Sequence, residues 1–281
     1  MSRRNNDERL GAPHPDAPTP PTQSTGGDLF SFVSPTEYVD LPSGGTLYPE
    51  GHPLHNVETV EIRHMTAKEE DILTSDTLLR KGIAIDRLVE SVLVDKNLHP
   101  STFLVGDKNA ILVASRITGF GTQYDATVAC PECTKTQSET FDLGAIQTKV
   151  VDTGDAEVTP TGTYIFQLPA SQVSIEIKLL TSGDETRITQ TIANRRKNKL
   201  PETNSTLLLK ALIVSANGVT DPVQLSQLVE LLPLQDAKHL RTMYQQLRPD
   251  VDMTFPFDCE KCLYDGEVTM PLTAEFFWPN R

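Results

Sequence analysis

The chain is predicted to fold as an α+β protein. Stretches of strand period and stretches of helical period both occur. Val57-Glu-Thr-Val-Glu-Ile-Arg63 alternates apolar and polar residues, as a half-buried strand does, whereas residues 83–95 repeat their apolar side chains at helical spacing. A hairpin-like segment is followed by a run of helical ones, an order that suits α+β layering. All four cysteines fall into two pairs, Cys130-Pro-Glu-Cys133 and Cys259-Glu-Lys-Cys262, each set between strand-like segments. The expectation is mixed helices and short antiparallel strands, with two Cys-x-x-Cys knuckles joined at one metal.

Taken in chain order, residues 1–37 read as an extended arm. Pro13, Pro15, Pro18, Pro20 and Pro21 interleave with Thr, Ser, Gln and Gly, a composition that cannot build a core alone. Phe30 and Phe32 near its end are candidate anchors for a partner. An N-terminal α/β region is expected over 38–121. Leu41-Pro-Ser-Gly-Gly-Thr-Leu-Tyr-Pro49 is turn chemistry, and it lacks the Lys-Ser/Thr ending of a phosphate-cradling loop. The strand at 57–63 leads to Thr66-Ala-Lys-Glu69, a capping box, with Glu69, Glu70 and Asp71 placed at the positive end of the helix dipole. Ile83, Ile85, Leu88, Val89, Val92 and Leu93 mark an amphipathic core helix over 83–95, and a further helix is expected over 107–117.

The remainder, 122–281, is expected to be a metal-clamped α+β domain with a helical insertion at about 150–250. Tyr124–Ala129 and Thr136–Leu143 flank the first cysteine pair, and Phe255–Phe257 and Glu267–Leu272 flank the second. Thr163–Leu168 and Val173–Leu179 form a hairpin turning at Pro169-Ala-Ser171. Ser182-Gly-Asp-Glu185 is a capping-box candidate for a helix over 184–199, which Pro201 stops. A helix containing Leu207–Leu209 is expected to end near Ser215, and Asn217-Gly218 is a tight turn. Asp221-Pro222 starts a short helix to Leu232, and Asp236 is expected to cap the last helix, which stops before Pro249.

Two thiolates from each of two hairpin tips make the tetrahedral four-sulfur set that Zn²⁺ favours, so Cys130, Cys133, Cys259 and Cys262 are the candidate ligands of one structural zinc per chain. Zinc ribbons usually hold their pairs about 15–20 residues apart; here the metal would instead join the two ends of an inserted domain. Disulfides would suit a secreted protein, and no apolar stretch near the N-terminus resembles an export signal. A redox motif would need one pair at a helix start, and a catalytic zinc needs an open position that four cysteines leave no room for. His52 and His55 are a second, weaker metal candidate. The histidines show no His-x-x-x-His or His-x-Glu pattern, and no Gly-x-Ser-x-Gly elbow occurs, so no catalytic constellation and no enzyme is expected.

Thirty-eight acidic against 25 basic side chains give a net charge of −13, which argues against general nucleic-acid binding. Arg195-Arg196-Lys197-Asn198-Lys199 is a local exception. With Arg187 it could contact phosphates in a zinc-ribbon regulator, although the cationic end of a helix explains it as well. No apolar run reaches the roughly 20 residues that cross a bilayer.

These residues together resemble the baseplate hub proteins of contractile-tailed, T-even-like phages. The resemblance is carried by Leu41–Pro49, by Val60-Glu-Ile-Arg-His-Met-Thr-Ala-Lys-Glu-Glu-Asp-Ile-Leu73, by Lys81-Gly-Ile-Ala-Ile-Asp86, by the paired knuckles and by Phe276-Phe-Trp-Pro279. It covers about 38–281. It implies a non-enzymatic virion component of the tail baseplate, present in several copies and binding other hub, tube or wedge proteins. A hub-assembly chaperone absent from the finished particle is the alternative.

Overall fold

The computed structural model describes residues 35–201 and 203–277. The helices and short antiparallel sheets are those of an α+β protein. β1 (Thr36–Asp40) and β2 (Thr59–Arg63) form an antiparallel hairpin, Val39 opposite Val60. β1 has no counterpart in the sequence reading, because five residues with one buried side chain, Val39, declare no period. Helices α1 (Ala67–Thr74), α2 (Asp76–Lys81), α3 (Ala84–Val92) and α4 (Val105–Phe120) follow. α3 buries Leu88, Val89 and Val92, as its spacing predicts.

Gly121, at φ +84°, turns the chain out of α4 into the hairpin β3 (Gln123–Ala129) and β4 (Thr136–Asp142). β5 (Glu157–Val158), β6 (Tyr164–Gln167) and β7 (Ser174–Ile177) come next, then α5 (Ser182–Lys197), α6 (Asn204–Leu212) and β8 (Ile213–Ala216). α7 (Pro222–Leu231), α8 (Leu234–Leu247), β9 (Thr254–Asp258) and β10 (Asp265–Thr269) complete the order. β5-β6-β7-β8 is one antiparallel sheet, and β9–β10 is a second two-stranded hairpin like β3–β4. Buried apolar residues form one cluster that runs from Val39 to Phe277.

Three local expectations are corrected. The helix expected to run to Ser215 stops at Leu212, because Ile213–Ala216 pair with β7 and sheet pairing overrides helical continuation. α5 is capped one residue earlier than Ser182: Thr181 Oγ1 accepts the Asp184 N–H and Asp184 accepts the Thr181 N–H, both at 3.2 Å. Asp236 does not cap α8, which begins two residues before it. Its buried carboxylate accepts the N–H groups of Ala170 and Ser171 at 2.8 and 2.9 Å, tying the β6–β7 turn to α8.

Glu69 does more than cap. It accepts the Thr66 N–H at 2.8 Å, as the capping box requires, and also Arg63 Nη1 at 3.1 Å and Ser91 Oγ at 2.6 Å. Its side chain is fully buried. Burial alone would raise its pKa, but the bonds from Arg63, Ser91 and Thr66 outweigh it and hold the carboxyl down to about 2. The unfolded chain therefore takes up this proton before the folded one does. The stability that Glu69 contributes is present above its ordinary carboxylate range and is lost as pH falls toward about 2. Wild type should lose more stability between neutral pH and acid than Glu69→Gln, measured by urea unfolding at several pH values. Equal acid slopes would remove this role.

The base of the insertion is stapled by backbone. Lys149 N–H donates to Asp250 O at 2.7 Å and Asp252 N–H to Gln147 O at 2.8 Å, so the chain entering the insertion pairs with the chain leaving it. Asn109 Nδ2 holds Asp250 Oδ1 at 2.9 Å from α4. At Gly106 in α4 an added Cβ would stand 2.0 Å from Pro249 O, so only glycine lets the helix approach this staple. The staple delivers β9 to the side of β4, where Phe255 meets Phe141.

Candidate metal centre

The two cysteine hairpins share one local design. In the first, Cys130 N–H donates to Lys135 O and Thr134 N–H to Cys130 O, both at 2.9 Å; in the second, Cys259 N–H donates to Tyr264 O at 2.8 Å and Leu263 N–H to Cys259 O at 3.0 Å. The residue after each second cysteine takes a left-handed conformation, Thr134 at φ +58° and Leu263 at φ +60°. Neither is glycine, so both turns carry backbone strain that the surrounding geometry must hold.

The hairpins face each other through aromatic rings. Phe141 of β4 and Phe255 of β9 lie 5.0 Å apart between centroids, and Tyr124 of β3 lies 5.1 Å from Phe276 in the turn that follows β10. Gln137 on β4 crosses the gap: its Nε2 donates to Asp258 O at 2.8 Å, and its Oε1 accepts the Glu260 N–H at 3.1 Å. A side-chain amide here imitates a strand neighbour and sets the second knuckle against the first. Nothing in the sequence distinguishes this glutamine from a solvated one.

The four Sγ atoms all lie within 4.8 Å of one another. Cys130 and Cys262 sulfurs are 3.6 Å apart, and those of Cys133 and Cys259 are 3.7 Å apart. A disulfide would need about 2.05 Å. The edge of a zinc–thiolate tetrahedron, from Zn–S bonds of about 2.3 Å, is about 3.8 Å. The cage is therefore the right size for a tetrahedral metal, and the four cysteines could hold one ion. The N–H groups of Cys262 and Lys261 aimed at Cys259 Sγ, with the neighbouring Cys262 and Cys130 sulfurs, outweigh burial and bring that thiol down to about 6. Cys262 is pushed up to about 12: the Tyr264 N–H favours its thiolate, but burial and the three facing sulfurs prevail. A bound cation would hold all four as thiolates.

The other candidate residues do not assemble. His52 stacks on Tyr48 with centroids 4.5 Å apart and its Nδ1 accepts the Leu54 N–H at 3.1 Å. His55 Nδ1 lies 2.6 Å from Tyr48 O. Both rings shape the 49–56 turns, and among the described residues only the cysteines form a metal-capable group. Arg195, Arg196 and Lys197 occupy the last turn of α5, and Arg187 pairs with Asp184. Phe30 and Phe32 lie outside the described residues. Sequence reasoning also missed Asp107, which is fully buried and accepts Ser43 N–H at 2.9 Å, Ser43 Oγ at 2.6 Å and Tyr48 OH at 2.7 Å.

No helix among the described residues is long and apolar enough to cross a membrane. No curated protein and no solved structure matches the chain. The family described as T4 bacteriophage base plate protein matches residues 35–278, a span that contains all of the body just described, both cysteine hairpins included. The chain therefore belongs to the T4 bacteriophage base plate protein family.

Proposed function

We propose that this chain is a non-enzymatic structural component of a contractile phage tail, placed at the baseplate hub and bound to neighbouring hub, tube or wedge proteins. The observation that carries the reading is the family match over residues 35–278. One zinc ion on Cys130, Cys133, Cys259 and Cys262 would supply a closed cross-link with no open position for chemistry. That clamp suits a part that must keep its shape outside the cell. The division proposed is an arm over 1–37, an N-terminal α/β region over 38–121 and a clamped domain over 122–281.

The arm is the proposed contact to partners, with Phe30 and Phe32 as anchors. Its composition lets it order on a neighbour and lose its conformational entropy only at assembly. Two measurements test this. Protein mass spectrometry of purified tails should find the chain in them; its presence in assembly intermediates alone would make it a hub-assembly chaperone instead. Deletion of residues 1–35 should leave the melting curve of the body unchanged and reduce incorporation into tails. Wild-type incorporation of that truncation would remove the arm from the account.

A further inference from the structure

Two residues of this chain break a local rule of conformation with no compensating contact inside the fold. Leu263, at the tip of the β9–β10 hairpin, holds a left-handed φ of +60° that suits glycine, yet its side chain is 88% exposed. Lys68 is the second residue of α1, where the positive end of the helix dipole disfavours a cation. It is exposed, and among the described residues it has no hydrogen bond or ion pair. Departures from local preference that the fold does not offset mark sites of function.

Each of the two stands in a surface that matches the other. Lys68 lines a groove of about 510 Å³ among α1, α2 and α3, together with the half-buried Ile72 and Leu78. Four cations line it, Arg63, Lys68, Arg87 and Lys96, against one carboxylate, Glu90. Arg63 is met by the buried Glu69, and Arg87 by Glu90. Lys96 Nζ donates to the carbonyl oxygens of Glu90, Ser91 and Leu93. Partial burial, and then Arg63 and Lys68 facing it, hold the Lys96 ammonium below the usual lysine range. Lys68 and Lys96 are thus cations crowded by like charge. Leu263 stands in the opposite chemistry. Around it Asp258, Glu260, Asp265 and Glu267 are exposed, against one cation, Lys261. None of these four carboxylates pairs with a described residue. The tip is an apolar knob among carboxylates, and the groove sets two apolar side chains among cations.

We propose that the Leu263 tip of one copy of this chain docks in the α1–α3 groove of a second copy, with Leu263 against Ile72 and Leu78 and with Glu260 and Asp265 facing the groove's cations. Opposite potentials steer such an encounter and set its register. Covering Leu263 removes apolar surface from water, the gain that its backbone conformation lacks in the single chain. Tip and groove are unlike surfaces, so the contact runs head to tail and can close into a ring. Nucleic acid is the poorer occupant, because phosphate would answer the cations and leave Ile72, Leu78 and Leu263 uncovered. This inference goes beyond the hub assignment and is tested on the purified full-length chain, so its failure leaves that assignment standing.

The experiment is sedimentation velocity over a concentration series, at 0.1 M and 1 M salt, where the screening length is about 10 Å and about 3 Å. Wild type is expected to self-associate at the lower salt and to dissociate at the higher. Leu263→Gly should leave monomer and stay folded by its melting curve, because glycine accepts this backbone conformation. Reversal of the groove (Lys68→Glu, Arg87→Glu) should also leave monomer, as should reversal of the tip (Glu260→Lys, Asp265→Lys). Mixing the two reversed variants should restore the larger species, since each supplies the surface the other now complements. That recovery also shows that both are folded. Wild type that stays monomeric at 0.1 M salt overturns the proposal, whatever other molecule then fills the groove. So does association that ignores salt, that survives Leu263→Gly or groove reversal, or that fails to return when the two reversed variants, each melting cooperatively, are mixed.

Discussion

Removal of the proposed zinc, or of one of its four candidate ligands, is expected to unfold the second half of this protein. Cys133→Ser is the cleanest test because Cys133 is only half-buried, so the change leaves no core cavity. Structural zinc in finger peptides contributes apparent free energies of about 10–16 kcal/mol, against a total stability of about 5–15 kcal/mol for an ordinary domain. Here the ion would also close a loop between cysteines 126 and 132 residues apart, which restricts the unfolded chain. Purified wild type should carry one zinc, protect all four thiols from alkylation and lose its cooperative melt on strong chelation. Cys133→Ser should carry none and melt like chelated wild type. Metal-free wild type with freely reacting thiols, and a Cys133→Ser melt identical to it, would dismiss the clamp.

Asp107→Ala should be the largest destabilisation away from the four cysteines. Asp107 sits in the first turn of α4 and gathers three donors, Ser43 N–H, Ser43 Oγ and Tyr48 OH. Tyr48 OH in turn accepts the Leu104 N–H at 2.9 Å, just before the helix. The result is a relayed cap: the helix start bonds a tyrosine hydroxyl, which bonds the carboxylate three residues on. Burial pushes the Asp107 carboxyl above its usual range in spite of these donors. Its contribution therefore falls as pH rises through that range, opposite in sense to Glu69. Truncation would strand three buried donors, at a cost of about 3–5 kcal/mol. Urea unfolding at neutral pH should show that loss. Asp107→Asn should cost less, since it keeps one acceptor and both hydroxyls can rotate. A loss below about 1 kcal/mol for the alanine variant would mean that the loop and α4 are held by packing alone.

Much of this was legible in the chain because the signals were local. Cys-x-x-Cys spacing, the Thr66–Glu69 box, Asp221-Pro222 at the start of α7 and the apolar period of α3 depend on neighbours within a few residues. The same is true of the two cysteine hairpins, where strand residues, a tight turn and strand residues follow in order. Illegible were features in which one residue answers another far away. Gln137 looks like any polar strand residue until Asp258 and Glu260 are beside it. Asp236 reads in sequence as a helix cap, but α8 starts before it and its carboxylate instead accepts the N–H groups of Ala170 and Ser171. Ile213–Ala216 could extend a helix, and the open edge of β7 decides otherwise.

By itself the sequence determined the class of the fold, the four sulfurs and the family, because composition, spacing and motif are properties of the chain. Only the tertiary structure decided that the four sulfurs meet. That meeting depends on the 147–149 and 250–252 backbones pairing, on Gly106 letting α4 reach Pro249, and on Phe141 finding Phe255. Each is a contact across more than a hundred residues, where no local preference acts and shape, burial and unpaired backbone groups choose the partner.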